Sequence, residues 1–168
     1  TILRTRGAQA FRVSVYRVDY LRCAAKLKQE LKKSTHVFFA STEEHPLKTI
    51  LITSLGPGEG KTITLCNLGI ALAQNQKKVL LVDTDMRKAR LHDIFKNGNE
   101  RGLSSFLCGQ ANFAEIIQKT DIENLSVATA GLIPPNPAEL IASSKMKEFL
   151  AKVKEEFDFV LLDSPPLA

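Results

Sequence analysis

The sequence predicts an α/β protein built on a doubly wound, mainly parallel sheet with helices on both faces. Three observations predict it. Apolar runs of strand length recur without polar alternation, as expected of strands covered on both sides. Segments of helical period separate them, and a glycine-rich turn joins the first such strand to the first such helix.

Taken in order, residues 1–47 read as a basic N-terminal helical arm and linker, and residues 48–168 as the main domain. Gln9 to Lys33 contains no Pro or Gly, and Phe11, Val15, Val18, Leu21, Ala25 and Leu31 recur at near-helical spacing, so an amphipathic helix is expected there. The polar stretch 41–48, with Pro46, marks a linker. Lys48 to Thr53 is the first buried strand, and Lys61 to Gln74 is a helix with Leu65, Leu68, Ala71 and Leu72 on its inner side. Lys78 to Asp83 is the second strand. Leu91 to Phe95, Leu103 to Leu107 and Phe113 to Ile117 are short helices. Leu125 to Thr129 is the third strand, Ala138 to Glu156 holds one or two helices, and Asp158 to Asp163 is the fourth strand.

The 168 residues suit one domain, and 44% apolar with 24% charged residues is an ordinary globular balance. No apolar run approaches the roughly 20 residues a bilayer span requires, and the N-terminus lacks a secretory pattern. Cys23, Cys66 and Cys108 are scattered, which argues against a disulfide framework or a zinc or iron–sulfur site and favours a reducing cytoplasm. The net charge of +5 is concentrated in residues 1–35. A nucleic-acid binder would spread it over a face, so no nucleic-acid partner is expected. The basic arm is either a solvated helix face or a contact for an anionic membrane or a partner.

The chemistry-bearing stretch is SLGPGEGKTIT, residues 54–64. Gly58 and Gly60 allow backbone N–H groups to converge on one anion, and a helix starting near Lys61 aims unpaired N–H groups at the same point. The Lys61 ammonium can reach terminal phosphates, and the Thr62 hydroxyl can bind Mg²⁺. Leu55 stands where the strict GxxxxGK[ST] pattern has its first Gly. The second strand ends in Asp83 and Asp85 (VLLVDTDMR) and the fourth in Asp163 (FDFVLLDSPP). Residues two apart on a strand point the same way, and ligands of open α/β sheets bind at the strands' carboxyl ends. Each aspartate alone would be read as a turn or cap residue; together with the loop they read as one site.

GPGEGKT, VLLVDTDMRKARLH, AGLIPPNPAEL and FDFVLLDSPP occur in the order and spacing of the bacterial tyrosine kinases of capsular and exopolysaccharide export, which this chain resembles over residues 48–168. The resemblance implies a P-loop fold and an ATP-dependent, autophosphorylating protein-tyrosine kinase using ATP and Mg²⁺. It implies nucleotide binding by Gly56, Gly58, Glu59, Gly60, Lys61, Thr62 and Ile63. Lys61 would hold the β- and γ-phosphates, and Asp83 would help activate the tyrosine hydroxyl. Asp85 would be a metal-linked second acid, and Arg87 would contact phosphate or a neighbouring subunit. Thr62, Asp83, Asp85 and Asp163 would serve the metal, Asp163 through water. It further implies a cytoplasmic location at the inner face of the membrane, a membrane polysaccharide co-polymerase or activator as partner, a protein tyrosine acceptor, and homo-oligomers formed through the N-terminal helix.

Departures are specific. Ala89 replaces the usual proline, and TILRTR and QAFRVSVYR each match the family's oligomerisation motif only in part. The only tyrosines are Tyr16 and Tyr20, so the family's C-terminal tyrosine cluster is missing, and the chain is expected either to be a piece of a longer polypeptide or to lack the usual acceptor. Two rival readings are a partitioning or division-site switch ATPase and a non-catalytic fragment. Gly56, standing where the switch ATPases carry a second lysine, argues against the first.

Overall fold

The computed structural model describes the backbone of residues 35–39 and residues 48–167 in full. The strands are β1 (Thr35–Phe39), β2 (Thr49–Ser54), β3 (Val79–Asp83), β4 (Gln118–Lys119), β5 (Leu125–Ala128) and β6 (Phe159–Asp163). The helices are α1 (Lys61–Gln74), α2 (Leu91–Phe95), α3 (Leu103–Leu107), α4 (Phe113–Ile116), α5 (Pro137–Ile141) and α6 (Ser144–Glu156). They assemble one sheet in the order β1-β2-β6-β3-β5-β4. The four inner strands run parallel, while β1 and β4 pair antiparallel at the two edges.

Burial explains why the inner strands are apolar throughout. Every residue of β3 is buried. Alternate residues serve opposite faces. Val79, Leu81 and Leu161 pack with Ile50, Ile52 and Val127 under α1, against Leu65, Cys66, Leu68 and Leu72. Leu80, Val82, Val160 and Leu162 pack on the other face with Leu103, Phe106, Ile116, Met146, Phe149 and Val153. Phe149 is fully buried, with its ring centroid 5.8 Å from Phe106 and 5.9 Å from Phe113.

The doubly wound parallel core stands as the sequence predicts, and α1, α2 and α3 keep their expected limits. Strand ends move by a residue, because the ladder rather than the apolar run sets them: Ser54 joins β2 through its partner Thr35. The helical run 138–156 is two helices, since the Ser143 hydroxyl accepts from the Met146 N–H at 3.3 Å and starts α6 afresh. Thr35–Phe39, which the sequence reading assigned to the arm and linker, forms the β1 edge strand, and β4 was not foreseen. The expected helix Gln9 to Lys33, with Tyr16 and Tyr20, lies outside the described residues.

On the face away from α1, residues 98–104 lie directly on the chain that leaves β5. Leu103 N–H donates to Thr129 O (2.8 Å), Ser104 N–H to Ala130 O (2.9 Å), and Asn99 both donates to and accepts from Gly131. Gly102 is required by this approach: a Cβ there would stand 2.3 Å from Gly131 N and 2.4 Å from Thr129 O. Two substitutions test the packing. Gly102→Ala is expected to cost about 3 kcal/mol of unfolding free energy, since backbone on both sides must move. Phe149→Ala is expected to cost about 3–5 kcal/mol. Urea unfolding of each variant would check both, and an unchanged midpoint for Gly102→Ala would contradict the close approach.

Candidate functional site

The site is built at the carboxyl ends of β2, β3 and β6. β2 ends at Ser54, whose hydroxyl donates to Gly56 O (2.8 Å), and the chain turns through Gly58 (φ 79°) and Gly60 (φ 87°) into α1. Both glycines adopt the left-handed conformation that side-chain-bearing residues avoid. Glu59 closes the loop on itself by accepting from the Leu55 N–H at 3.1 Å. Leu55, in place of the motif's first glycine, is therefore accommodated with its side chain outward, 52% exposed.

Lys61 opens α1. Its ammonium lies 3.3 Å from Asp85 Oδ2 and 3.3 Å from Asp163 Oδ1, with the three side chains only 13%, 5% and 1% exposed. The Thr62 hydroxyl donates to Asp163 Oδ2 at 2.6 Å. Asp163 reaches this point because β6 lies beside both β2 and β3. Thr84 ties the ends of β3 and β6 together, donating from its N–H (2.9 Å) and its hydroxyl (2.6 Å) to Asp163 O. Burial pushes the Asp163 carboxyl above the usual carboxylate range, and the Lys61 ammonium and Thr62 oppose that rise without cancelling it.

Asp83, level with Asp163 across the ladder, is fully buried. Both of its oxygens accept from the main chain: Oδ1 from Asp85 N–H (3.2 Å), and Oδ2 from Arg90 N–H (2.8 Å) and Leu91 N–H (3.0 Å). Burial nevertheless raises its pKa to about 6, those N–H groups working in the opposite sense. Cys66, under the same aspartates, has its thiol pushed up by burial and suits core packing rather than redox chemistry.

An open cavity of about 640 Å³ lies over this cluster. Of the residues singled out by sequence, Gly58, Glu59, Gly60, Lys61, Thr62, Ile63, Asp85 and Arg87 line it. Gly56, Asp83 and Asp163 are not among the lining residues. Sequence reasoning missed Lys88, Arg90, Asp93, Ile94, Pro165 and Pro166, which also line it. The prolines had a signal in the DSPP segment, which Thr53 fixes by donating to Pro165 O at 2.9 Å. Oxygen donors from Thr62, Asp85 and Asp163 suit a hard divalent cation, and two buried carboxylates facing one ammonium, with a third buried at Asp83 nearby, leave negative charge for it to balance. Among the described residues no group of three or more His, Cys, Asp or Glu is arranged to hold a metal by itself. A cation here would therefore draw further oxygens from phosphate and water.

The raised pKa of Asp83 gives a pH test. The folded state binds this proton more tightly than the unfolded chain, so the group's contribution is greatest below about pH 4 and is lost as pH rises towards 6. In metal-free protein, the wild type is expected to lose about 2 kcal/mol more unfolding free energy than Asp83→Asn between about pH 4 and pH 6. Chemical denaturation across that range measures it, and parallel curves would mean that burial does not perturb Asp83.

A family model described as an AAA domain matches residues 47–168. Tyrosine-protein kinase YwqD of Bacillus subtilis strain 168 is 42% identical over 133 residues, which make up 79% of this chain and 56% of that protein. Among solved structures, the kinase domain of Escherichia coli tyrosine kinase ETK aligns with a TM-score of 0.71 at 31% identity, covering 85% of this chain and 52% of that one. The septum site-determining protein MinD complexed with Mg-ADP, from Pyrococcus horikoshii OT3, aligns with a TM-score of 0.62 at 30% identity, covering 72% and 50%. The chain thus spans about half the length of these proteins. All of this agrees with a P-loop ATPase fold. The chain belongs to the AAA-domain family and, within it, to the bacterial tyrosine kinases.

Proposed function

We propose that residues 48–168 are the nucleotide-binding core of an ATP-dependent protein-tyrosine kinase acting in capsular or exopolysaccharide export. The observation that carries this reading is the Lys61 ammonium, held between Asp85 and Asp163 beside two left-handed glycines. The likeness to YwqD and to the ETK kinase domain supports the reaction class.

The loop N–H groups and the α1 N-terminus would receive the β- and γ-phosphates, with Lys61 neutralising charge as the γ-phosphoryl moves. Thr62 and Asp163 would hold Mg²⁺, which, when bound, neutralises charge on the terminal phosphates. The resemblance gives hydroxyl activation to Asp83 and a metal link to Asp85, but Asp85 is the one of the three aspartates that lines the cavity, which supports giving it the orienting of the tyrosine hydroxyl and the acceptance of its proton. The bond from tyrosine oxygen to Pγ forms, the bond from Pγ to the β,γ-bridging oxygen breaks, and ADP leaves. Arg87 lies exposed at the mouth, where phosphate, acceptor or a neighbouring copy can reach it.

Among the described residues no helix is long and apolar enough to cross a membrane. A cytoplasmic site of action at the inner membrane face, a membrane co-polymerase or activator as partner, a protein tyrosine acceptor and homo-oligomers through the N-terminal segment complete the proposal. The likeness to MinD favours a second reading, a switch ATPase without tyrosine transfer, against which Gly56 stands in place of that class's extra lysine.

Labelled ATP with Mg²⁺ and the complete polypeptide separates the two. Label on tyrosine supports the kinase, and released phosphate alone supports the switch ATPase. Lys61→Ala is expected to reduce transfer by about 10²–10³-fold through lost charge stabilisation. Tyrosine labelling that persists at the wild-type rate in that variant would contradict the proposal.

A further inference from the structure

The aspartate that ends β3 is used differently from its neighbours. Asp83 is not paired with Lys61 and does not itself line the cavity. Its two oxygens instead grip both ends of the segment that follows the strand: Asp85 at the start, Arg90 and Leu91 at the finish. Arg90 is the N-cap of α2, yet no side chain of its own caps that helix, so Asp83 supplies the cap from the end of β3. Between the gripped ends, Lys88 N–H donates to Asp85 O (3.2 Å) and to Asp85 Oδ1 (3.1 Å), leaving Oδ2 for Lys61. The orientation of Asp85 is thus fixed from both sides, and Asp83 is the outer anchor.

We propose that Asp83 is a positioning residue: its carboxylate clamps residues 84–91 against the end of β3, and that clamp presents Asp85 to the cavity beside Lys61. The clamp needs acceptor oxygens rather than a transferable proton. It rests on the reading of this cavity as a phosphoryl-transfer site, and it replaces the direct role in hydroxyl activation and metal binding that family resemblance gives Asp83. Three N–H donors take three of the roughly four acceptor sites on the two carboxylate oxygens, so the group is committed mainly to the main chain.

The Asn and Ala variants separate positioning from proton transfer. Asparagine keeps one oxygen for the Arg90 and Leu91 N–H groups and loses the acceptor for Asp85 N–H; alanine loses all three. Neither can act as a base. In the complete polypeptide, Asp83→Asn is expected to keep transfer within about tenfold of wild type. Asp83→Ala is expected to lose about 100-fold in kcat with KM for ATP within about threefold, because the glycine loop lies outside the clamped segment. Hydrogen exchange should show the Arg90 and Leu91 amides protected in the wild type and Asp83→Asn and unprotected in Asp83→Ala.

Loss of a general base would cost about 10²–10⁴-fold in both variants alike. Asp83→Asn as inactive as Asp83→Ala, with the two amides still protected, would overturn the proposal, and so would full activity in Asp83→Ala. If the wild type only releases phosphate and labels no tyrosine, the kinase reading fails. The same ranking of variants, read in phosphate release, would still support the clamp, and equal losses in that readout would sink it.

Discussion

A lysine ammonium held between two almost buried carboxylates is the interaction on which the rest of this site depends. Withdrawing three charges from water is costly, and pairing them does not in general return a net gain in stability. Such a cluster is more readily explained by what it binds than by what it stabilises. With Asp83 behind it, the group has three aspartates for one cation at the edge of the sheet. On the proposed reading, a nucleotide tail would bring negative charge to Lys61 and the loop amides, while a divalent cation arriving with it would meet the excess of carboxylate.

The sheet order makes the cluster possible. Lys61, Asp85 and Asp163 are far apart in sequence, and β6 brings them together by inserting between β2 and β3. That insertion explains the local chemistry too. The carboxylate of Asp163 faces Thr62 and Lys61, while its carbonyl receives both donors of Thr84, so one residue links the start of α1 to the loop after β3. The apolar runs that fill both faces of β3 and β6 keep water from the back of the cluster, which is why burial dominates the shifts of Asp83 and Asp163. Core packing and site electrostatics are therefore set by the same two strands.

Much of this was legible in the sequence, for identifiable reasons. Long apolar runs and the period of α1 specify buried strands and a covering helix, so the parallel core and the loop before Lys61 could be read directly. The strand Thr35–Phe39 was not found, although its Val, Phe and Phe are strand formers, because so short a run shows no period and only its pairing with β2 makes it a strand. The two residues of β4 are too few to give any period. At the site, a side chain's residue type and place on a strand were visible, but its partners were not. Asp83 and Asp85 look equivalent in DTD, and only the return of the chain at Arg90 and Leu91 shows that one faces the main chain and the other the cavity.

Metal dependence of nucleotide affinity tests the central claim most directly, because it reads the carboxylate excess without requiring turnover. ADP binding to the complete polypeptide would be measured by calorimetry, with and without Mg²⁺, for the wild type and for Asp163→Asn. The account predicts that Mg²⁺ tightens binding to the wild type and that most of this gain disappears in Asp163→Asn. Equal ADP affinity with and without Mg²⁺ in the wild type, or an undiminished Mg²⁺ effect in the variant, would contradict it.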